Sequence, residues 1–289
     1  MSLELLVVSA LALIGPGPRS AAEVIPVAPD TLLPSCRWTE PPAVRRALDR
    51  SLDEISGLAA TPEGMLLVHD DELPVVREID PRDGAVLRSW AMRGVGRMDF
   101  EGIALAEDRV FLITSDGILF ETRVAQDGAT IPAVAVDTRL GRLCEIEGLA
   151  WEPTGRVLLI PCKNPRARGL RDQVTIFRWS VDEPGLDTRR PHLAIPLSDV
   201  LDAVGGKRFR PTSIDRDPRT GHYLLLSGPD PALLELTPDG AILAGVSLKR
   251  RDHPQAEGVA VLPGRRVAIS NERAGGNRSG TLTVYPCDT

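Results

Sequence analysis

The chain has 289 residues, 43% of them hydrophobic, and its 34 basic and 40 acidic side chains leave a formal net charge of −6. That length admits one large domain or two small ones, and with the two signs well mixed and no basic stripe the composition excludes nucleic acid as a partner. With 26 Gly and 25 Pro the chain is turn-rich without reaching the level of a disordered one.

In chain order, the first feature is the apolar run of residues 5–14, followed by Gly-Pro-Gly-Pro and then Ser20-Ala21-Ala22. A run of that length is too short to span a bilayer. It suits the apolar region of a signal peptide, with small residues near the cleavage point. Residues 1–22 are therefore read as a signal peptide, although Glu4 stands where Lys or Arg is usual. A mis-assigned start or a buried segment is the alternative. The expected location is periplasmic or extracellular, with no transmembrane span.

From about Ser51 a short segment recurs five times: Ser56-Gly57-Leu58-Ala59, Glu101-Gly102-Ile103-Ala104, Glu147-Gly148-Leu149-Ala150, Thr212-Ser213-Ile214-Asp215 and Glu257-Gly258-Val259-Ala260. Gly57, Gly102, Gly148, Ser213 and Gly258 are spaced by 45, 46, 65 and 45 residues. A period near 45 built of short strands marks a β-propeller, one blade per repeat. In the first repeat the strands are expected at 55–60, 65–69, 75–80 and 85–90, with turns at Pro62-Glu63-Gly64 and Pro81-Arg82-Asp83-Gly84. In the second they are expected at 102–106, 109–114, 118–124 and 131–137, with Asp116-Gly117 and Asp127-Gly128 as hairpin signals. The third repeat is longer, through an Arg-rich loop at 164–172 and a stretch at 182–208 that holds one short helix, with Ser198 as its cap and Gly205 as its stop. The fourth repeat reads as four strands and the fifth as only three. An open sheet edge is a liability, so residues 23–50 are expected to lend the missing strand. The fold class is all-β: a propeller of five four-stranded blades over residues 51–289, closed by an N-terminal strand. A sixth blade built partly from N-terminal residues is the alternative.

The four cysteines support export. Cys144 and Cys162 flank a hairpin centred on residue 153, so antiparallel pairing sets them nearly opposite each other. Cys36 precedes the first repeat and Cys287 ends the last. Two disulfides are expected, Cys144–Cys162 and Cys36–Cys287, against four buried free thiols as the alternative.

Within a blade the first strand begins beside the end of the second, and in a propeller both places open onto one rim of the central channel. First-strand starts bring Glu54, Ser56, Asp99, Glu101, Glu145, Glu147, Thr212 and Glu257; second-strand ends bring residues 69–72, 114–116, 163–164, 227–230 and 270–273. Carboxylates gathered there repel one another and require a cation, protons or basic partners. Hard oxygen donors suit calcium, and the candidate ligands are Glu101, Glu147, Glu257, Asp70, Asp116, Asn164, Asp230 and Asn271. The candidates for holding another ligand are Glu101, Glu147, Glu257, His69, Lys163, Arg210 and Arg273. The competing reading makes these carboxylates glue between blades and the Asp residues ordinary turn formers. No nucleophile elbow, HExxH or P-loop motif occurs, and no residue stands out as catalytic.

The segments Asp99-Phe100-Glu101-Gly102-Ile103-Ala104, Glu145-Ile146-Glu147-Gly148-Leu149-Ala150 and Ala256-Glu257-Gly258-Val259-Ala260, with their spacing from Ser51 to Tyr285, resemble the SdiA-regulated propeller family, which is close to the "esterase-like activity of phytase" propellers. The resemblance implies a secreted, periplasmic or membrane-anchored bacterial propeller able to bind calcium. Three departures thin the acidic ring: Pro161-Cys162-Lys163-Asn164 after the third blade's second strand, Gly228-Pro229-Asp230 after the fourth's, and Thr212 in place of Glu. The function expected is binding of a small molecule or an envelope protein at the channel rim. The alternatives are a metal-dependent hydrolase of phosphate esters or lactones, with Glu101, Asn164, Asn271 and Asp230 loosely imitating a gluconolactonase set, and a structural module of an envelope complex.

Overall fold

A computed structural model describes residues 30–187, 190–273 and 279–288; the signal-peptide reading of residues 1–22 lies outside the described residues. Five sheets, antiparallel but for one added strand, are arranged around a channel, and each inner strand packs on the next until the last meets the first. The inner strands are Ile55–Ala60, Phe100–Ala106, the broken pair Cys144–Ile146 and Ala150–Glu152, Pro211–Arg216, and Ala256–Leu262. The expected five-bladed propeller is what the chain forms.

The recurring segment is explained position by position. Its third residue is the aliphatic plug between blades: Leu58, Ile103, Leu149, Ile214 and Val259 are all buried. Its second residue lies where neighbouring inner strands touch. A Cβ on Gly102 would stand 2.6 Å from the Gly148 carbonyl carbon and 2.7 Å from the Leu149 nitrogen. Gly148 itself has φ +87°, a left-handed conformation that favours glycine. Only the fourth blade has a side chain there, and it is put to use: Ser213 Oγ accepts the Val259 N–H at 3.1 Å. Asp215 Oδ2 likewise accepts the Val261 N–H at 2.7 Å, and Thr212 Oγ1 donates to the Ala256 carbonyl at 2.8 Å. The seam between the fourth and fifth blades is thus sewn by side chains.

Closure occurs as expected. Val44–Ala47 pairs antiparallel with Thr281–Pro286 and completes the fifth sheet. The Cys36–Cys287 disulfide fastens the same seam, and Cys144–Cys162 is also formed. Glu235 anchors the segment before the closing strand, accepting backbone N–H groups of Leu32 and Leu33 at 2.8 Å. The hydrophobic clusters lie between neighbouring blades; one joins Leu58, Leu66 and Val68 of the first blade to Ala260, Leu262 and Ala268 of the fifth.

Three details differ from the sequence reading. The outer strand of the second blade is only Val134–Asp137, because Thr130–Pro132 leaves it to pair in parallel with residues 91–93 of the first blade. The third inner strand is interrupted at residues 147–149, which find no ladder partner. The helix Leu197–Val204 is capped by Pro196 rather than Ser198, whose hydroxyl instead bonds Asp199; Gly205 ends it as expected, with φ 64°.

Candidate functional site

One mouth of the channel is built by the residue that opens each recurring segment. In four blades that residue is a β-bulge. Ser56, Glu101, Thr212 and Glu257 each stand unpaired between two register pairs, and a bulge re-aims its side chain out of the strand's alternation. The third blade also has an extra inner-strand residue, since 147–149 stand opposite only 160–161, and it adds a second bulge on the partner strand. Glu145 faces Asn164 and Ile146 faces Cys162, which leaves Lys163 as the extra residue. Lys163 Nζ then donates to Glu147 Oε1. The Glu147 side chain is only 3% exposed and that of Lys163 22%.

Around this ion pair the remaining acids are crowded and half-buried. Glu101 Oε2 accepts the Ser56 hydroxyl at 3.1 Å. Burial, with Asp99 adding to it, pushes the Glu101 carboxyl up to about 8, against the pull of Lys163. Burial raises Glu257 to about 7, again opposed by Lys163 and reinforced by Asp71. Asp71 is raised to about 6 by burial and the neighbouring Asp70 and Glu54. Glu272, held by Gln255, is raised to about 8 by burial and its hydrogen bond with Glu54. Raised carboxyls, the Lys163 ammonium and the Arg273 guanidinium all reduce the repulsion among the acids of this mouth.

Several candidate residues are occupied elsewhere. Asp70 Oδ1 accepts the Glu72 and Leu73 N–H groups at 3.1 and 3.0 Å, closing a turn. Asp116 Oδ1 accepts the Thr114 hydroxyl at 2.6 Å. Asp230 takes both its hydrogen bonds from Arg208, at 3.2 and 3.1 Å. Asn271 turns its amide toward Thr281 at 3.2 Å and His253 at 3.4 Å. Arg273 pairs with Glu54 at 2.7 Å. His69 is fully buried against Gly57, and burial lowers it to about 4, so it is a neutral core residue at the foot of the rim. Arg210 and Asn164 line a cavity between the third and fourth blades, with Lys163.

The donor set does not fit calcium. That ion takes six to eight oxygen ligands. Here Lys163 already holds Glu147, and Asp70, Asp116 and Asp230 are bound in their own turns or ion pairs. Among the described residues no three His, Cys, Asp or Glu side chains are grouped to hold a metal ion. Of the gluconolactonase-like set, Asp230 is taken up by Arg208, and Asn271 directs its amide nitrogen to Thr281 and His253. The glue reading holds in one respect, since Glu101 joins two blades by accepting the Ser56 hydroxyl of the first. Backbone N–H groups of the fifth blade are bonded by Ser213 and Asp215, while Glu101 and Glu147 bond Ser56 and Lys163. Asp71 and Glu272 are members of the site that the candidate set omitted. Their sequence signal was position: both fall in the second-strand ends, 69–72 and 270–273, that the repeat brings to the rim.

Solved structures share this architecture at low identity. Glutaminyl cyclase of Myxococcus xanthus superposes with a TM-score of 0.59 at 14% identity, over 86% of this chain and 100% of its own. The PQQ-bound aldose sugar dehydrogenase of Streptomyces coelicolor gives 0.55 at 14% identity, again over 86% and 100%. A luciferin-regenerating enzyme gives 0.51 at 8%, over 84% and 95%. These likenesses establish the propeller and nothing about the chemistry it hosts. Sequence relationship is more specific: the SdiA-regulated family model matches residues 43–272, and the chain belongs to that family.

Proposed function

We propose that this protein is an exported propeller whose acidic channel mouth binds a small molecule rich in hydrogen-bond donors, a polyol or an amine. The observation that carries the reading is a pair of buried carboxylate oxygens at the mouth, Glu147 Oε2 and Asp71 Oδ1, that accept nothing from the protein. A buried acceptor without a donor costs about 1–3 kcal/mol, and a ligand carrying hydroxyl or ammonium groups relieves that cost where the backbone does not. Two disulfides in a chain of this kind support export. Titration calorimetry with glucose, sorbitol and spermidine tests the reading. Saturable binding that Glu101→Gln/Glu257→Gln weakens at least tenfold supports it; no binding of any of the three overturns it in favour of a structural role.

A second reading rests on Glu101 and Glu257 themselves. Their carboxyl groups, pushed to about 8 and 7, sit near the pH at which a proton donor and acceptor work best. In that case the bound molecule is a substrate, the step is proton transfer at a carbon or oxygen atom held between the two, and no metal takes part in it. A bell-shaped rate profile that loses one limb in Glu101→Gln and the other in Glu257→Gln supports this. Unchanged turnover in both variants removes it.

A further inference from the structure

The extra length of the third repeat has a structural product that the channel mouth does not use. It builds a cavity of about 410 Å³ at the junction of the third and fourth blades. The walls come from the end of the Val157–Pro165 strand, the residues after the short helical turn Arg168–Leu170, and the loop that follows helix Leu197–Val204. Five of its lining side chains are cationic, Lys163, Arg171, Lys207, Arg208 and Arg210, and none is a carboxylate. In a chain of net charge −6 that concentration runs against the average.

Three of the five cations have no internal counter-charge within ion-pair distance among the described residues. Lys163 is held by Glu147 and Arg208 by Asp230. Arg171, Lys207 and Arg210 make no ion pair among the described residues, and all three are exposed. Scattered surface cations of this kind are ordinarily solvated and repel weakly. Here they surround a concavity floored by buried Val174, Phe209 and Pro211, and low-dielectric walls focus a field of one sign into the space between them. The cavity also carries the Asn164 and Gln173 amides, which can donate hydrogen bonds to an anion. Guanidinium groups bind carboxylate and phosphate oxygens in pairs.

We propose that this cavity is a binding pocket for a small organic anion carrying two or more oxyanion groups. The shared chemistry is the oxyanion; a phosphorylated molecule and a polycarboxylate are the two sources that supply it. Lys163 gives the pocket one cation that also serves the channel mouth, so the two sites adjoin without depending on each other.

The test uses the mature, disulfide-bonded protein at pH 7.5 in 50 mM NaCl, with calorimetric titration of pyrophosphate, citrate and, as the neutral control, glucose. Saturable binding of pyrophosphate or citrate is expected, weakened at least tenfold in Arg171→Ala/Lys207→Ala/Arg210→Ala. It should be retained in the charge-matched control Arg82→Ala/Arg93→Ala/Arg123→Ala, which removes three exposed cations of the first two blades. Pyrophosphate binding more tightly than citrate assigns a phosphorylated ligand, and the reverse order a polycarboxylate. Arg210→Lys keeps the charge and loses the fork, so a loss of affinity there shows that pairing geometry counts as well as charge. Absence of saturable binding by either anion up to 1 mM overturns the proposal, as does equal affinity in the pocket and control variants. Glucose bound at the channel mouth leaves both anion results unchanged, which keeps this proposal separable from the function above.

Discussion

Lys163→Met isolates the interaction on which the acidic mouth depends. The substitution keeps an unbranched apolar stem and removes the ammonium that Glu147 accepts from. Glu147 is only 3% exposed and its second oxygen already lacks a partner, so the variant strands a carboxylate in a poorly solvated place. Removing one partner of a buried ion pair costs about 3–5 kcal/mol. The alternative open to the variant is to protonate Glu147. For a carboxyl with an ordinary pKa near 4.3, holding a proton costs about 5 kcal/mol at pH 8 but only about 1 kcal/mol at pH 5. The penalty is therefore expected at full size at pH 8, about 3–5 kcal/mol, and cut to about 1 kcal/mol at pH 5. At roughly 2–4 °C per kcal/mol for a chain of this class, the melting temperature falls by roughly 10 °C at pH 8 and by roughly 3 °C at pH 5. Thermal unfolding followed by circular dichroism at the two pH values measures this. Adding Glu147→Gln removes the stranded charge and should restore most of the loss at pH 8, a coupling that a double-mutant cycle reads directly. A loss below about 1 kcal/mol at pH 8, or a double variant no more stable than the single one, refutes the account of Lys163 as the cation of the ring.

Other consequences are measurable in the same way. Glu101 and Glu257 bind protons more tightly folded than unfolded, with values of about 8 and 7 against an ordinary 4.5. Their contribution is present in full below pH 4.5 and is lost as pH rises through 7 and 8. Stability should decline over that window, and Glu101→Gln/Glu257→Gln should flatten the decline; an equally steep decline in the variant counts against the shifted carboxyls. The two disulfides close loops with sequence separations of 251 and 18 residues. On a chain-entropy account they contribute roughly 5 and roughly 3 kcal/mol, so Cys36→Ser/Cys287→Ser should melt lower than Cys144→Ser/Cys162→Ser, and the opposite order would show that closure is carried by the strand pairing alone. Gly102→Ala drives a methyl group into the Gly148–Leu149 backbone, which cannot give way as a side chain can. Urea titration is expected to show a loss of about 3 kcal/mol, and a loss under about 0.5 kcal/mol would mean that the inner strands separate freely.

The fold was legible because closure of a propeller writes the same demands into every blade. A glycine is needed where inner strands meet, as at Gly102 and Gly148, and an aliphatic plug is needed between sheets, as at Ile103 and Val259. Those demands recur with the blade, so they appear as a period. Cysteine placement was legible for a related reason: hairpin symmetry put Cys144 opposite Cys162, and a chain that must close puts its ends together at Cys36 and Cys287. Where a strand crosses to another blade the period carries no information, and Thr130–Pro132, which joins the first sheet instead of the second, could not be read that way.

The site was legible only as far as it repeats. Equivalent positions named Glu101, Glu147 and Glu257, and they do ring one mouth of the channel. What the ring does depends on where its compensating charge comes from, and that charge breaks the repeat. Four blades bulge on the inner strand and turn Ser56, Glu101, Thr212 and Glu257 toward the mouth. The third keeps an extra residue on its inner strand, within 147–149, and adds another on the partner strand, Lys163. One added bulge thus brings a tethered ammonium to Glu147, while burial pushes the Glu101 and Glu257 carboxyls up to about 8 and 7. A sequence pattern counts residues along a strand; it does not say on which of two paired strands the extra residue will be accommodated. The added residue, Lys163, follows Cys162 of the Cys144–Cys162 bridge. On the function proposed above, a ligand at this mouth meets carboxylates beside an ammonium that no repeating position names.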